Sequence, residues 1–477
     1  MDVHSTPTSD SQVETVRDLV VSHEKDLDSD LENALSKTGE LSKSEMTSED
    51  KTVLVQEHQD FGPKKPLTTA RLVLVFMGIS VTLFLSALDQ TIVTTTLPAI
   101  ASEFNDFSDI SWVGTAYLIS TTAVQPLYGV MSNMFGRKRA MLTACGIFLL
   151  GSALCGAAQS MIMLIIARAI QGLGGSGIVS LSMIIIGDIV PLRERGKYQS
   201  INASIYGLAA VLGPLLGGAF ADHVSWRWAF YINLPIGAVA SILLVLFLHM
   251  NRPKDIPVIE NLKTLDFAGI FFLVASIVMF LLGLNWGADA KYPWDSSVIL
   301  SLLIVGAVVG ALFLGNEWKL AKKPIIPLRL FNTLSLSMVY LGIALQGFTF
   351  LGLMFFLPLY FQAVNGASAL QSGVDLIPLV IVQAVVAMIA GFMMSRWGTY
   401  KEFIVTGFVV GTISAGLLTI LDEHTSKGGV VVILLAEGLS QGLTVSTTLM
   451  AIHSQVQSKS DMALGTSLWM FLRTLGG

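Results

Sequence analysis

Hydrophobic positions along the chain fall in unbroken runs of about twenty residues, separated by short polar connections. A bilayer core of about 30 Å takes roughly 20 apolar residues per helix. On that scale the runs predict spans at 73–95, 112–132, 140–158, 161–187, 200–221, 229–249, 267–286, 297–316, 337–360, 371–394, 403–421 and 430–452. A thirteenth opens near residue 461 and is cut by the end of the chain at Gly477.

The connections alternate in charge, and Lys and Arg in short loops stay cytoplasmic. With a cytoplasmic N-terminus, the even-numbered turns collect 16 cations: Arg137, Lys138, Arg139, Arg193, Arg195, Lys197, Arg252, Lys254, Lys263, Lys319, Lys322, Lys323, Arg329, Arg396, Lys401 and Lys459. Only Arg227, Lys291 and Lys427 fall on the other side. Trp226, Trp228, Tyr292 and Trp294 then stand at the outer interface, where amphipathic rings settle.

One junction occurs twice. Gly129-Val-Met-Ser-Asn133-Met-Phe-Gly136-Arg137-Lys138 joins spans 2 and 3, and Gly391-Phe-Met-Met-Ser-Arg-Trp-Gly398-Thr-Tyr-Lys401 joins spans 10 and 11, 262 residues later. In both copies the glycines lie seven apart and a cation follows. The offset makes span 9 the opening of a second half and leaves spans 7 and 8 as an inserted pair. It also maps residue 477 into span 5 of the first half, so the second bundle is expected to stop at its fifth helix. Parallel halves of this kind are the architecture of secondary transporters.

Composition narrows the reading further. Of 477 residues 53% are hydrophobic and 13% charged, with mean hydropathy +0.67, too few charges to cover a soluble surface of this size. Residues 1–71 hold 15 Asp/Glu against 8 Lys/Arg, which makes residues 1–70 an acidic, disordered cytoplasmic tail by composition. It has no apolar core with a cleavage site, so span 1 doubles as the insertion signal. Cys145 and Cys155 lie ten apart in one apolar run and read as packing residues, with no metal or disulfide framework. Gly172-Leu-Gly-Gly-Ser-Gly177 lies within an apolar run rather than after a strand, so it is no phosphate loop. No enzyme signature, cofactor site, Walker motif or nucleic-acid-binding pattern is found, which leaves an ion gradient as energy source.

The first junction resembles the loop signature of the major facilitator superfamily, Gly-x-Leu-x-Asp-x-x-Gly-Arg-Lys, through Gly129, Gly136, Arg137 and Lys138. Asn133 stands where that signature has aspartate; an amide cannot form a charge pair, so a latch relying on the carboxylate would be weakened. The resemblance extends through Leu88-Asp89-Gln90-Thr91, Trp112-Val113-Gly114, Arg168-Ala-Ile-Gln171-Gly172, Gly213-Pro214-Leu-Leu-Gly217-Gly218, Trp226-Arg227-Trp228-Ala229-Phe230-Tyr231-Ile232-Asn233 and Phe471-Leu-Arg473-Thr-Leu-Gly476-Gly477. These stretches look like the 14-spanner drug:proton antiporters of that superfamily, most of all the fungal efflux pumps for toxins and secondary metabolites. The resemblance implies an all-α polytopic membrane protein: a six-helix bundle over 71–250, two linker helices with their loops over 251–330, and an incomplete second bundle over 331–477. It implies a monomer that exchanges protons for a small organic molecule, and the tail, which has no targeting signal, makes the plasma membrane the expected location.

Three intramembrane charges are the candidate coupling residues, since an ionisable group in a span is functional by default. Asp89, in the outer half of span 1, is the expected proton carrier, and Arg168 of span 4, which cannot lose its charge, the group that tunes it. Glu437 of span 12 precedes Gly438-Leu-Ser-Gln441-Gly442, an echo of the Gly172 stretch, and is a candidate opposing acid. Asp188 is expected to pair with the loop that follows span 4. Gly213, Pro214, Gly217 and Gly218 are expected to form a rocking contact between the bundles, because missing side chains let helices approach and proline bends one of them. Two rivals stay open at this point: an uptake carrier of the same fold, for amino acids or siderophores, and a remnant or sensor that transports nothing.

Overall fold

The computed structural model describes residues 69–477 except 251–264, 289–290, 322, 368, 423–424 and 457. The acidic tail and the cations Arg252, Lys254, Lys263 and Lys322 therefore lie outside the described residues. Among the described residues thirteen long helices follow one another, one at each predicted span. They are α1 Thr69–Phe104, α2 Ser111–Phe135, α3 Arg137–Gly156, α4 Met161–Ile189, α5 Leu192–His223, α6 Trp228–Phe247, α7 Phe267–Ala288, α8 Ser297–Lys319, α9 Leu334–Ala363, α10 Gln371–Trp397, α11 Lys401–Leu418, α12 Lys427–Gln455 and α13 Lys459–Gly476. No strand is assigned among the described residues. In lipid every backbone N–H and C=O must be paired internally, and the helix does this within one segment.

The ends follow the local chemistry. Ser160, Ser296, Thr333, Ser426 and Ser458 cap α4, α8, α9, α12 and α13, each side chain accepting a first-turn backbone N–H, which satisfies one of the donors a helix start leaves open. The second glycine of each repeated junction ends a helix with positive φ, Gly136 at 87° and Gly398 at 74°. A side chain strains that backbone, so the seven-residue spacing records a turn that needs glycine.

Eleven of the thirteen helices are long and apolar enough to cross a membrane. Of the other two, α2 carries Ser, Thr or Gln at seven positions and α13 carries Lys459, Asp461 and Arg473 within 18 residues, and they lie against each other: a Cβ on Gly129 of α2 would stand 2.8 Å from Ser467 Oγ of α13. A face that meets protein does not have to suit lipid, so these helices carry polar groups that a lipid-facing helix could not. α4 is buried along most of its length.

Helices α1 to α6 pack on one another and α9 to α13 do likewise, while α7 and α8 pair together. That pair rests on α2 through Trp112 against Trp286, rings 6.3 Å apart, and is tied to the following loop by Glu317, which accepts from the Ile325 and Ile326 backbone N–H at 3.0 and 3.3 Å. The repeat is legible in glycine contacts. A Cβ on Gly172 of α4 would lie 2.5 Å from the Tyr117 carbonyl of α2, and one on Gly438 of α12 would lie 2.5 Å from the Leu379 carbonyl of α10. Tyr117 and Leu379 are themselves 262 residues apart, so the two helix pairs are the same joint built twice.

Two expectations change. Gly213 and Gly217 do not form a contact between bundles: added Cβ atoms would strike Thr91 Oγ1 at 2.0 Å and the Ile92 carbonyl at 2.3 Å, both on α1 in the same group of helices. Thr91 Oγ1 also donates to the Ala209 carbonyl at 3.0 Å, fastening α1 to α5. Gly218 has no neighbouring atom within 4 Å of its Cβ position, and Pro214 lies inside a helix that continues to His223. Trp226 is 3% exposed, with its indole on Phe104 and Phe230, while its N–H bonds Glu103 Oε2 at 2.7 Å. Trp228 and Trp294, 48% and 53% exposed, keep the surface placement the sequence suggests.

These contacts set an order among glycines. Gly172→Ala and Gly438→Ala should each lower stability by about 1–3 kcal/mol through overpacking, whereas Gly218→Ala should be neutral or slightly stabilising, as alanine favours helix. Thermal unfolding of the three variants in detergent checks the ranking.

Candidate functional site

Asp89 lies on the inward face of α1 and is 0% exposed. Its Oδ2 receives Arg168 Nη1 at 2.5 Å; its Oδ1 receives Gln171 Nε2 at 2.7 Å and Asn233 Nδ2 at 3.1 Å. Both amides also donate to Ser152 Oγ, at 2.8 and 3.2 Å. Arg168 spends its other donors on Gln171 Oε1 at 2.7 Å and the Val113 carbonyl at 2.9 Å, and its guanidinium carbon sits 4.3 Å from the Tyr117 ring centroid. Helices α1, α2, α3, α4 and α6 thus meet at one carboxylate. Taking two ions out of water costs several kcal/mol each, and only a fully bonded pair offsets it. Every group on the Asp89 oxygens is an N–H donor, so the network is built for the ionised form.

The second half holds a related network with a different charge. Glu437 of α12 is 1% exposed. Its Oε2 accepts from Ser414 Oγ of α11, and its Oε1 accepts from Gln441 Nε2 at 2.8 Å. Gln346 of α9 extends the chain, donating to Gln441 Oε1 at 2.5 Å and Thr444 Oγ1 at 3.3 Å. Ser414 follows Ser152 by 262 residues. Glu437 therefore sits against Ser414 as Gln171 sits against Ser152, with a carboxylate in place of an amide. Among the described residues its hydrogen-bond partners are all neutral.

A third assembly joins the two groups of helices at the end that carries the basic turns. On one side Gly129 of α2 faces Ala463 and Ser467 of α13; on the other Gly391 of α10 faces Gly196 and Ser200 of α5, its Cβ position 2.5 Å from the Gly196 carbonyl. The first glycine of each repeated junction thus seats the opposite half, and the second makes the turn. Ser200 Oγ lies 3.2 Å from Ser446 Oγ of α12, and Arg195 Nη1 reaches Met462 Sδ at 3.2 Å.

Asn133 and Arg137 complete the joint. Arg137 is fully buried and pairs with Asp188 Oδ2 at 2.8 Å, so Asp188 answers the turn before α3 rather than the loop that follows its own helix. Asn133 Oδ1 accepts from Arg137 Nη1 at 2.6 Å, while its Nδ2 donates across to Ser460 Oγ at 2.9 Å and the Ser460 carbonyl at 3.1 Å. The amide bridges cation and α13 by two-way hydrogen bonding, a thing the acceptor-only carboxylate cannot do. Lys138 instead reaches the Val245 carbonyl of α6 at 2.6 Å. Gly213, Pro214, Gly217 and Gly218 stand apart from this seam.

Three partners were missed as site residues on sequence alone: Ser152, Gln171 and Asn233. The last two stood within motifs noted for other reasons, and Ser152 is signalled by its repeat at Ser414. Cys155, read as plain packing, also touches the network, its thiol 3.5 Å from Gln171 Oε1. No group of His, Cys, Asp and Glu suited to a metal ion occurs among the described residues.

The family model of the Major Facilitator Superfamily matches residues 79–477. The chain is 39% identical over 402 residues to the efflux pump dotC of Dothistroma septosporum, covering 84% of this chain and 69% of that one. It is 38% identical over 417 residues to the MFS-type efflux pump LUC4 of a Fusarium species, covering 87% and 73%. The crystal structure of the human organic anion transporter MFSD10 superposes with TM-score 0.61 at 18% identity, over 84% of this chain and 91% of that one; at that identity it speaks to the fold alone.

Removing one member of a buried ion pair costs about 3–5 kcal/mol. Asp89→Asn and Arg168→Gln should each lower folded yield and unfolding temperature in detergent, and the double variant should recover part of the loss, as coupling in a double-mutant cycle. At the seam, Gly391→Val should penalise the closed arrangement by about 1–3 kcal/mol. A cysteine placed at Ser446 should then react faster with a maleimide than the same cysteine beside Gly391.

Proposed function

The chain belongs to the major facilitator superfamily, and we propose that it exports a small, largely apolar organic compound by alternating access, driven by protons. The observation that carries this reading is the doubled glycine seam: two pseudo-equivalent contacts, α2 on α13 and α10 on α5, close one end of the interface between the halves. Contacts of bare backbone can part and re-form without repacking side chains, which suits rocking about a central site. The relatives named as efflux pumps supply the direction of transport and the class of cargo.

In this reading the basic end is cytoplasmic, because cations in short loops are retained there, and the plasma membrane is the site of action. The conformation is then closed to the cytoplasm. The protein acts as a monomer on a small-molecule substrate and protons, without catalysing a covalent reaction.

The two carboxylates take different parts in proton exchange. Protonating Asp89 here would break its pair with Arg168 and leave the new O–H among donors, so Asp89 stays ionised until the halves move and Arg168 withdraws. Glu437 can be protonated where it is. A proton on Oε2 is donated to Ser414 Oγ once that hydroxyl rotates its own hydrogen away, since a serine oxygen both gives and accepts. In this scheme Glu437 and Asp89 are the two proton-exchanging groups, with Arg168 as the fixed charge.

Reconstituted vesicles with an imposed pH gradient and a fluorescent drug or metabolite panel test this scheme. Wild type should pump against the drug gradient and stop with an uncoupler. Glu437→Gln, which keeps the shape and a donor or acceptor at each oxygen, should lose uphill pumping by more than about tenfold, as expected for a positioned proton-transfer group, while downhill exchange persists. Full uphill pumping by that variant would remove Glu437 from the scheme.

A further inference from the structure

The membrane-embedded arginines divide into paired and unpaired. Arg137 has Asp188 and Arg168 has Asp89. Arg473, in the last turns of α13, has neither a hydrogen bond nor an ion pair among the described residues, and its Nε is buried without a partner. Its backbone is fixed by close approach to α9, where a Cβ on Gly347 would overlap the Arg473 carbonyl. The guanidinium carbon lies 5.1 Å from the Phe350 ring centroid and 6.0 Å from that of Trp469. Across the interface, Tyr206 of α5 packs against the same apolar cluster that holds Trp469.

An arginine keeps its charge at any accessible pH, and a charge inside a membrane span marks a functional position. Aromatic rings engage the face of a guanidinium. Its N–H edge, the part that grips a carboxylate in a two-pronged fork, is left without an acceptor. The surroundings, with elements from both halves and Tyr206, Phe350 and Trp469, suit a flat apolar body next to an acid.

We propose that Arg473 is the docking cation for an acidic group on the cargo, so that the exported compound is an amphipathic organic anion, a carboxylate or phenolate on an aromatic frame. This deepens the export reading and rests on it. Tyr206 lies on the opposite half. An anion held by Arg473 reaches across the interface, so the cargo supplies the missing counter-charge only while bound between the halves.

The test uses the purified full chain in detergent and equilibrium dialysis with 1-naphthoate and methyl 1-naphthoate, which share a ring system and differ in charge. Wild type is expected to bind the acid at least about tenfold more tightly than the ester, the equivalent of one well-made charge-assisted contact. Arg473→Gln should erase that preference and leave ester binding unchanged, which doubles as its check of folding. Arg473→Lys, which keeps the charge without the fork, should retain a reduced preference and gives the answer independently of the glutamine variant. Equal binding of acid and ester by wild type, or loss of both ligands in parallel in the lysine variant, overturns the proposal. Vesicle uptake of 1-naphthoate separates the two readings: preference for the acid with no movement under a pH gradient supports the anion site and counts against proton-driven export.

Discussion

A charge placed inside a lipid-immersed helix bundle cannot be left to water, and the structure is organised around that constraint. Asp89 and Arg168 are held by donors and acceptors from five helices, so the pair that is costly to bury also specifies how those helices pack. Breaking the pair leaves one ion without compensation, which is far worse than never having had either. The network is therefore a register mark for the first half.

The two halves answer the same constraint differently. Gln171 and Glu437 occupy matching seats against Ser152 and Ser414, but the first half carries a salt-bridged carboxylate beside its amide and the second a carboxylate among neutral partners. That asymmetry on a symmetric frame gives one acid a fixed counter-ion and leaves the other with neutral partners only, among the described residues. The seam at the basic end is symmetric by contrast, because closing a gap between helices asks only for small residues on both sides.

Much of this was legible from residue order. The positions of the thirteen helices and the 262-residue repeat come from hydropathy and spacing, and the cost of intramembrane charge singles out Asp89, Arg168 and Glu437, each of which the structure buries among hydrogen-bond partners. What failed did so for identifiable reasons. Gly213 and Gly217 marked a close helix approach, yet glycine spacing does not say which helix approaches, and Thr91 and Ile92 of α1 proved to be the partners. Trp226 is covered by Phe104 and Phe230 while its N–H bonds the exposed Glu103, a contact 123 residues away in the chain. Asn133 read as a weakened latch because an amide lacks charge, while its ability to give and accept hydrogen bonds shows only when both Arg137 and Ser460 are in place.

The polarity of α2 and α13 has a consequence for how the protein is made. During synthesis α2 leaves the ribosome more than three hundred residues before α13, the helix that covers its polar face. Until then it must wait in the membrane with that face turned to its earlier neighbours or to the insertion machinery. α13 in turn leaves the translocation channel as a segment that oil alone would accept poorly, and its route into the bilayer is docking on α2. The joint between these two helices thus forms late, and a chain that has not yet reached α13 carries a visible mark: an uncovered polar stripe on its second helix.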